Sequence, residues 1–526
     1  MNQLLWSPAV LGALLVPLIF LGGGLWRPQR AAAVALAAFW AALTTAVAFA
    51  VLAIDGGGGG GPPWLRVDVV TVVMLLLVSG LGAVIVRYAT TAVRGEPRAD
   101  ALARWLLLTL GAVTTLVIAG HLAIVAAAWT ATSLALHQLL THERERPLAL
   151  LAAHKKFLVS RLADLALWSA LVLIHGRVGS LALDRLDAWA AATSTPDVTM
   201  QIAAILIAVA VVLRSAQLPF HGWLTQVMEA PTPVSALLHA GVVNIGGLVL
   251  IRLAPLMAPM AAAQLLLVGV GLVSVVVASL VTLTRVSVKV ALAWSTCAQM
   301  GFMLVQCGLG AWPLALLHLV AHSLYKAHAF LSAGSTVERW RGRALHTPPP
   351  SSWRAVVMSA VVLGFAAFVG VGAMHARGLI VAGPSTWGLT LLVALSLAPL
   401  VAGPGSMAWP TMLRRLVDAS LVVGLVVLTH RVADALVPVP AMSPWVVTLG
   451  WAAVGVASVL LFGLKTALTL APGSVVAERL WPWLFAGLHL DERVTRLTFM
   501  LWPPQLPPPP RPPSLLSWPA SAGVSR

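Results

Sequence analysis

Apolar residues run along this chain in long blocks, parted by short segments of arginine, glycine and proline. An α-helix rises about 1.5 Å per residue, so a block of about 20 apolar residues crosses a hydrocarbon core of about 30 Å. The pattern predicts fifteen such spans, near 4–25, 31–53, 68–87, 103–120, 122–140, 157–175, 201–218, 233–252, 262–284, 288–308, 312–336, 355–374, 386–402, 416–437 and 444–465. The turn between the fourth and fifth is very short. No basic stretch precedes the first block and no small-residue cleavage site follows it, so it reads as a retained helix and not as a signal peptide.

Composition agrees with the pattern. Of 526 residues, 59% are hydrophobic and only 10% charged, against about 25% charged in a soluble domain. Lipid must therefore be the main solvent. The net charge of +16 raises the question of nucleic acid, but the basic residues gather on no single face or arm. They follow the short loops instead, as the positive-inside rule describes. With the N-terminus outside, the inner segments hold Arg27, Arg30, Arg87, Arg94, Arg98, Arg104, Arg144, Arg146, Lys155, Lys156, Arg161, Arg285 and Lys289. Further along they hold Arg339, Arg341, Arg343, Arg354, Arg414, Arg415, Lys465, Arg479, Arg493 and Arg496. The outer segments keep only Arg66, Arg177, Arg185, Arg252, Arg377 and Arg431. The C-terminus is thus expected on the cytoplasmic side.

Two segments are expected outside the membrane. Asp55 to Pro63, with six consecutive glycines, reads as a flexible outer loop. The proline-rich stretch from Pro503 to Arg526 reads as disordered. Between the last span and that stretch, Leu480 to Trp502 includes LHLDERVTRLTF. This is either a cytoplasmic docking helix or a helix lying on the headgroups. Cys297 and Cys307 share one apolar segment. On a helix about 15 Å would separate them, too far for a disulfide. The sequence has no P-loop, no GxGxxG after a strand, no cysteine cluster and no HExxH, so it offers no nucleotide or redox apparatus. Energy is expected from an ion gradient or a partner.

Candidate chemistry lies inside the spans, where a charge costs from about 3 kcal/mol upward and needs a partner or a water-filled cavity. Arg161 and Asp164 are three residues apart and share a helix face; they are members of an ion path or a local pair at the membrane edge. The seventh span runs from Arg214 into Pro219. Proline breaks a helix, and freed backbone groups at membrane depth are tolerated only within protein or beside water. The eighth span opens on Pro231 and Pro233 and carries His239 two turns inside. In the eleventh, His318, His322 and Lys326 are four apart, one stripe over about 12 Å. A histidine pair at this spacing can bind zinc, but no third ligand lies in the local frame, so no metal is expected in this chain. Histidine titrates near neutrality and suits proton relay. Lys289 begins the tenth span and either joins the path or snorkels to the surface.

The strings RSAQLPFHGWLTQVMEAPTPVSALLHAGVVNIGGLVL from Arg214, SVKVALAWSTCAQMGFM from Ser287 and HLVAHSLYKAHAFLSAGS from His318 resemble the antiporter-like membrane subunits. These are the L, M and N subunits of respiratory complex I and the Mrp-type cation/proton antiporters. The resemblance covers roughly residues 60 to 340. It implies an all-α polytopic membrane protein with two inverted five-helix repeats, each with a broken helix, and a buried row of ionisable residues. The chain then divides into N-terminal helices (1–100), a first repeat (101–255), a second repeat (256–415), C-terminal helices (416–470), an amphipathic segment (471–502) and the tail (503–526). By resemblance Arg161 and Asp164 match the sixth-helix pattern, Arg214 occupies the broken-helix lysine position, His239 matches the histidine that follows, and His318, His322 and Lys326 match the central relay.

Departures from that pattern narrow the branch. Where complex I subunits have Trp-Glu in the fifth helix, this chain has Trp129-Thr130, and the lysine partner of that glutamate is Arg214, which does not release a proton in a protein. The polar face of the fifth helix is Thr130, Ser133 and His137, and Asp164 is left to supply the missing negative charge. His375 and Arg377 follow the twelfth span in place of a Lys-Asp-Glu pattern, and there is no room for a long lateral helix after residue 470. The strings ATSLALHQLL, KKFLVSRLADLALW, ALAWSTCAQMGFML and LDERVTRLTF resemble the DabB family, membrane subunits of energy-coupled inorganic carbon pumps. That resemblance implies a cytoplasmic partner, DabA, a zinc protein similar to β-carbonic anhydrase. It also implies inward flow of H⁺ or Na⁺, no cofactor in this chain, and a place in the bacterial inner membrane with the N-terminus periplasmic. The alternatives are a proton-pumping L-type subunit and an Mrp-type antiporter subunit. Co-purifying iron–sulfur subunits would mark the first, and restored sodium resistance the second.

Overall fold

A computed structural model describes residues 7–54, 62–143, 145–193, 197–227, 230–335, 352–378, 383–403, 409–437 and 439–503. The whole glycine run, Arg144, Glu229, Arg339, Arg341, Arg343 and the proline-rich stretch from 504 lie outside the described residues. The rest is helical, with only two isolated β-bridges among the described residues.

Each expected span has its helix. In chain order they are α1 (Pro8–Trp26), α2 (Ala31–Ile54), α3 (Val69–Ala92), α4 (Ala99–Ile118), α5 (Leu122–Leu140) and α6 (Pro147–Val178). A short α7 (Leu183–Ala192) leads to α8 (Val198–Arg214), the five-residue α9 (Gly222–Gln226), and α10 (Thr232–Ala240) with α11 (Ile245–Arg252). After the one-turn α12 (Ala254–Met257) come α13 (Ala261–Thr282), α14 (Val288–Gly308) and α15 (Trp312–Leu331). The last spans are α16 (Trp353–Ala376), α17 (Pro384–Ala402), α18 (Trp409–Leu436) and α19 (Pro444–Leu470), followed by α20 (Val475–Phe485) and α21 (Glu492–Leu501). Among the described residues thirteen spans are long and apolar enough to cross a membrane. The two other expected spans are α8, with 17 residues, and α15, which carries the polar stripe.

Local sequence sets the boundaries. Asp68 and Asp197 cap α3 and α8 by accepting from the backbone amides of Thr71 and Met200, at 2.8 and 3.0 Å, which satisfies donors that have no partner within the helix. The short turn between α4 and α5 is held by neighbouring loops: Gly120 donates to the Trp64 carbonyl and Leu122 to that of Leu181, both at 2.8 Å. A Cβ at Gly120 would stand 2.8 Å from the Leu65 backbone, so the turn needs a glycine. Lipid tails provide no hydrophobic drive between helices, and small residues that let backbones approach supply packing instead. Gly271 of α13 and Gly301 of α14 do so; a Cβ on the first would lie 2.6 Å from the carbonyl oxygen of the second.

Two expectations need correction. The sixth span starts at Pro147 and not near 157. Proline is favoured in the first turn, and the added turns put Lys155 and Lys156 inside the helix and buried, not in a loop. The eighth span is not one continuous helix: α10 ends at Ala240, and a 3₁₀ turn, Val242–Asn244, separates it from α11. The amphipathic segment packs against the bundle through α20 and α21, while its His489, Glu492, Arg493 and Arg496 stay exposed. Arg285 donates to the carbonyls of Leu484 and Phe485 at 2.6 and 2.7 Å, and the Trp502 ring stacks on His154 with centroids 4.0 Å apart.

Burial separates centre from rim. The span Thr232–Arg252 is 89% buried, whereas the windows of α16 and α18 are only 11% and 12% buried. The broken span therefore lies at the heart of the protein.

Candidate functional site

Buried polar side chains collect in two clusters. The first lies between α5, α6 and α8, where the missing glutamate and the exchanged lysine were expected. Arg214, at the end of α8, pairs with Asp164 of α6 and donates to the Trp129 carbonyl at 2.7 Å. Its guanidinium lies 4.7 Å from the Trp129 ring centroid. One helical turn from Asp164, Arg161 approaches the same carboxylate at 2.8 Å. Thr130 also donates to Asp164, at 3.0 Å.

Ser133 links this group to a residue that hydropathy hides. Its hydroxyl accepts from Arg161 at 3.3 Å and from Lys156 at 2.8 Å, and Lys156 also donates to the Ser133 carbonyl at 2.5 Å. Arg161 and Arg214 thus share one carboxylate, and Lys156 adjoins them through Ser133. Arginine stays charged in proteins, so Lys156 is the cation here whose chemistry includes a neutral form. His137 lies one turn further along α5, its ring 5.2 Å from Phe157 and 5.9 Å from Trp502. Its imidazole faces the C-terminal segment and not the Asp164 group.

The second cluster lies between α10, α14 and α15. His318 and His322 have ring centroids 6.0 Å apart. The Nδ1 of His318 is 2.8 Å from Gln306 Oε1, and the Nε2 of His322 is 3.3 Å from the His239 carbonyl. His239, fully buried, stacks on Phe330 and places Nδ1 3.1 Å from Thr296 Oγ1. Thr296 and Lys326 both donate to the Leu292 carbonyl, at 3.0 and 2.8 Å, and Lys326 also reaches Ser295. Polar groups therefore lie close together from Gln306 through His318, His322, His239 and Thr296 to Lys326 as a string, joined by a ring contact between His318 and His322 and by the backbone carbonyls of His239 and Leu292. Ser323, in the same helix, accepts from Asn244 at 2.7 Å where the eighth span breaks. The break in the helix thus faces the polar string, as non-helical backbone at membrane depth requires.

Lys289 does not join the string: half-buried, it donates to Thr232 at 3.1 Å, at the start of α10. At the opposite end of α5 from the C-terminal segment, Asp68 bonds Arg66 at 3.0 Å and pairs with Arg252, and Arg66 reaches Asp187 at 2.9 Å. Burial works to raise the Asp68 pKa. Arg252, the Thr71 amide and Arg66 outweigh it and hold the carboxyl at about 2.

Sequence reasoning missed Lys155, Lys156, Ser295, Thr296, Gln306 and Asp491 as partners. Only the lysines left a signal: counting turns from Pro147 puts both inside a helix. Neutral hydroxyls and amides leave none, because they are ordinary residues in any helix.

Broken helices, a buried charge cluster and a histidine–lysine stripe define the antiporter-like class of membrane protein. A family model for the NADH:quinone oxidoreductase/Mrp antiporter transmembrane region matches residues 119–368. The solved structure of the Mrp complex from Dietzia shares the fold with a TM-score of 0.54, at 24% identity, covering 93% of this chain and 55% of that one. NADH-quinone oxidoreductase subunit L of Mycobacterium tuberculosis is 32% identical over 276 residues, 52% of this chain and 43% of its own. Similarity to one branch runs much further. The probable inorganic carbon transporter subunit DabB of Hydrogenovibrio crunogenus is 38% identical over 512 residues, 94% of this chain and 95% of that protein. The DabB2 protein of Halothiobacillus neapolitanus is 39% identical over 455 residues, 84% and 80% of the two chains. This chain belongs to the DabB family of probable inorganic carbon transporter subunits.

Proposed function

We propose that this chain is the membrane subunit of an energy-coupled inorganic carbon uptake system. It conducts a cation, H⁺ or Na⁺, inward along the two polar clusters, and a DabA-like zinc partner uses that energy to convert CO₂ to bicarbonate. The observation that carries the reading is the buried row itself. Charges at membrane depth persist where they mark ion pathways, and here Lys156, Arg161, Asp164, Arg214, His239, His322 and Lys326 are all held by side chains or backbone carbonyls of the core. The subunit itself performs no covalent chemistry in this account. Its place is the bacterial inner membrane, with the C-terminal segment on the cytoplasmic side, where the partner docks.

The replaced glutamate favours this reading over a respiratory pump. A Lys–Glu pair can exchange a proton between its members, whereas the Arg214–Asp164 pair is a fixed charge pair because guanidinium keeps its proton. The test is growth in ambient air of a bacterial host lacking carbonic anhydrase, given this chain and its DabA-like partner. Growth with both genes, and with neither alone, is the expected result; no growth with both rejects the reading.

A further inference from the structure

On the face where α20 and α21 fold back, a cleft of about 470 Å³ opens between the C-terminal segment and the break after α8. His221, Gln226, Arg285, His489, Asp491 and Glu492 line it. Asp491 reaches out of the C-terminal segment into the bundle: its Oδ2 accepts from Lys155 at 2.6 Å, from Gln226 at 2.7 Å and from Thr495 at 3.1 Å. Its Oδ1 is buried without a hydrogen-bond partner and presses on Gly222, where a Cβ would stand 1.6 Å away. Lys155 is 0% exposed, whereas Asp491 keeps 21% of its side chain open. The carboxylate therefore has water on one side and a buried amine on the other. The next residue after Lys155 is Lys156, which donates to the Ser133 hydroxyl, the same oxygen that accepts from Arg161 of the first cluster.

We infer that this cleft is an aqueous proton port for the first cluster, with Asp491 as its carboxylate and Lys155 as the amine it exchanges with. The inference rests on the conduction reading above and names its ion as the proton. In the step itself, the N–H bond of the Lys155 ammonium breaks as an O–H bond forms on Asp491 Oδ2; the acid then gives that proton to water in the cleft, and the reverse sequence loads the amine. No other reactant is needed. Gln226, which donates to Asp491 and accepts from Lys155 at 2.8 Å, holds the pair in register. The groups facing Asp491 are Lys155 from α6, His221 from the break, Arg285 from the loop before α14, and His489, Glu492 and Arg496 of its own segment. Because Asp491 belongs to the segment that would carry a partner, docking there can act on the port directly.

The experiment measures uptake of labelled inorganic carbon, supplied as CO₂, per assembled complex, with the full chain and its partner in cells. The sharpest variant is Lys155→Arg, which keeps the charge and the ion pair but does not release a proton. It is expected to assemble and to lose at least about a hundredfold in uptake, the lower range for loss of a proton-transfer group. Asp491→Asn is expected to lose as much and Asp491→Glu to retain most uptake, while Glu478→Gln, exposed on α20, matches wild type. Full uptake by Lys155→Arg overturns the port whatever Asp491→Asn does, since a merely structural ion pair survives that change. A wild-type complex without uptake rejects the conduction reading and the port with it; an active wild type with an active Lys155→Arg rejects the port alone.

Discussion

Replacing Asp164 by asparagine is the most informative single change in the first cluster. The side chain keeps its size and can still accept from Thr130, but the carboxylate that Arg161 and Arg214 share is gone. Arg214 is 6% exposed at its side chain and Arg161 32%, so Arg161 can turn toward water and Arg214 cannot. Two guanidinium groups sharing one carboxylate stand roughly 5 Å apart and repel by about 3 kcal/mol at an effective dielectric constant of about 20. Breaking a buried pair by removing one member costs about 3–5 kcal/mol in general, which agrees with that figure. Asp164→Asn should therefore lower the stability of the detergent-solubilised protein by about 3 kcal/mol, read as a clear fall in midpoint temperature by tryptophan fluorescence. Removing the stranded cation as well, in Asp164→Asn with Arg214→Gln, should restore more than half of the loss, because the two changes are strongly coupled. Equal stability of Asp164→Asn and wild type, or additive losses in the double variant, would refute the charge account. Uptake should fail in both variants, which separates folding from conduction.

Other changes test neighbouring parts. Arg214→Lys puts one nitrogen where two nitrogens now meet Asp164 and the Trp129 carbonyl; a loss of about 2 kcal/mol in thermal stability is expected, as for a hydrogen bond to a charged group, and an unchanged midpoint would show that only charge matters. His322→Ala should remove inorganic carbon uptake while membrane abundance by immunoblot stays normal, and full uptake would remove His322 from the path. Asp68, held at about 2, stabilises the folded state fully above the ordinary carboxylate range and loses that contribution as pH falls through about 2. Asp68→Asn should thus lower the midpoint temperature at neutral pH, and its deficit against wild type should narrow toward pH 2. Trp502→Ala removes the ring stacked on His154 and should speed tryptic cleavage at Arg493 and Arg496; an unchanged rate would mean the stack does not hold the segment down.

The helices were legible because length and hydropathy leave a strong record: fifteen apolar blocks became fifteen helical spans. The same measure erred where polarity was locally satisfied. Lys155 and Lys156 look like loop residues to a hydropathy scale, yet Asp491 and Ser133 accept from them inside the protein. The stripe His318, His322 and Lys326 was legible because its spacing is the helical repeat. His239 joins it through the His322 contact to its carbonyl, and no pattern in the sequence announces a backbone acceptor. Asp491 was read as part of a surface helix because amphipathicity marks a polar face without naming what meets it. Its contact with Lys155 spans 336 residues, a distance over which one sequence carries no pairing signal.

The central claim is that this family member carries a cation along its buried row to drive inorganic carbon uptake. The most direct measurement is uptake of labelled inorganic carbon, supplied as CO₂, by cells that lack carbonic anhydrase and express the chain with its partner, before and after a protonophore or sodium ionophore. The account predicts uptake that stops when the gradient is collapsed and that is absent in Asp164→Asn and His322→Ala. Uptake that persists without any cation gradient, or at wild-type level in both variants, would contradict it.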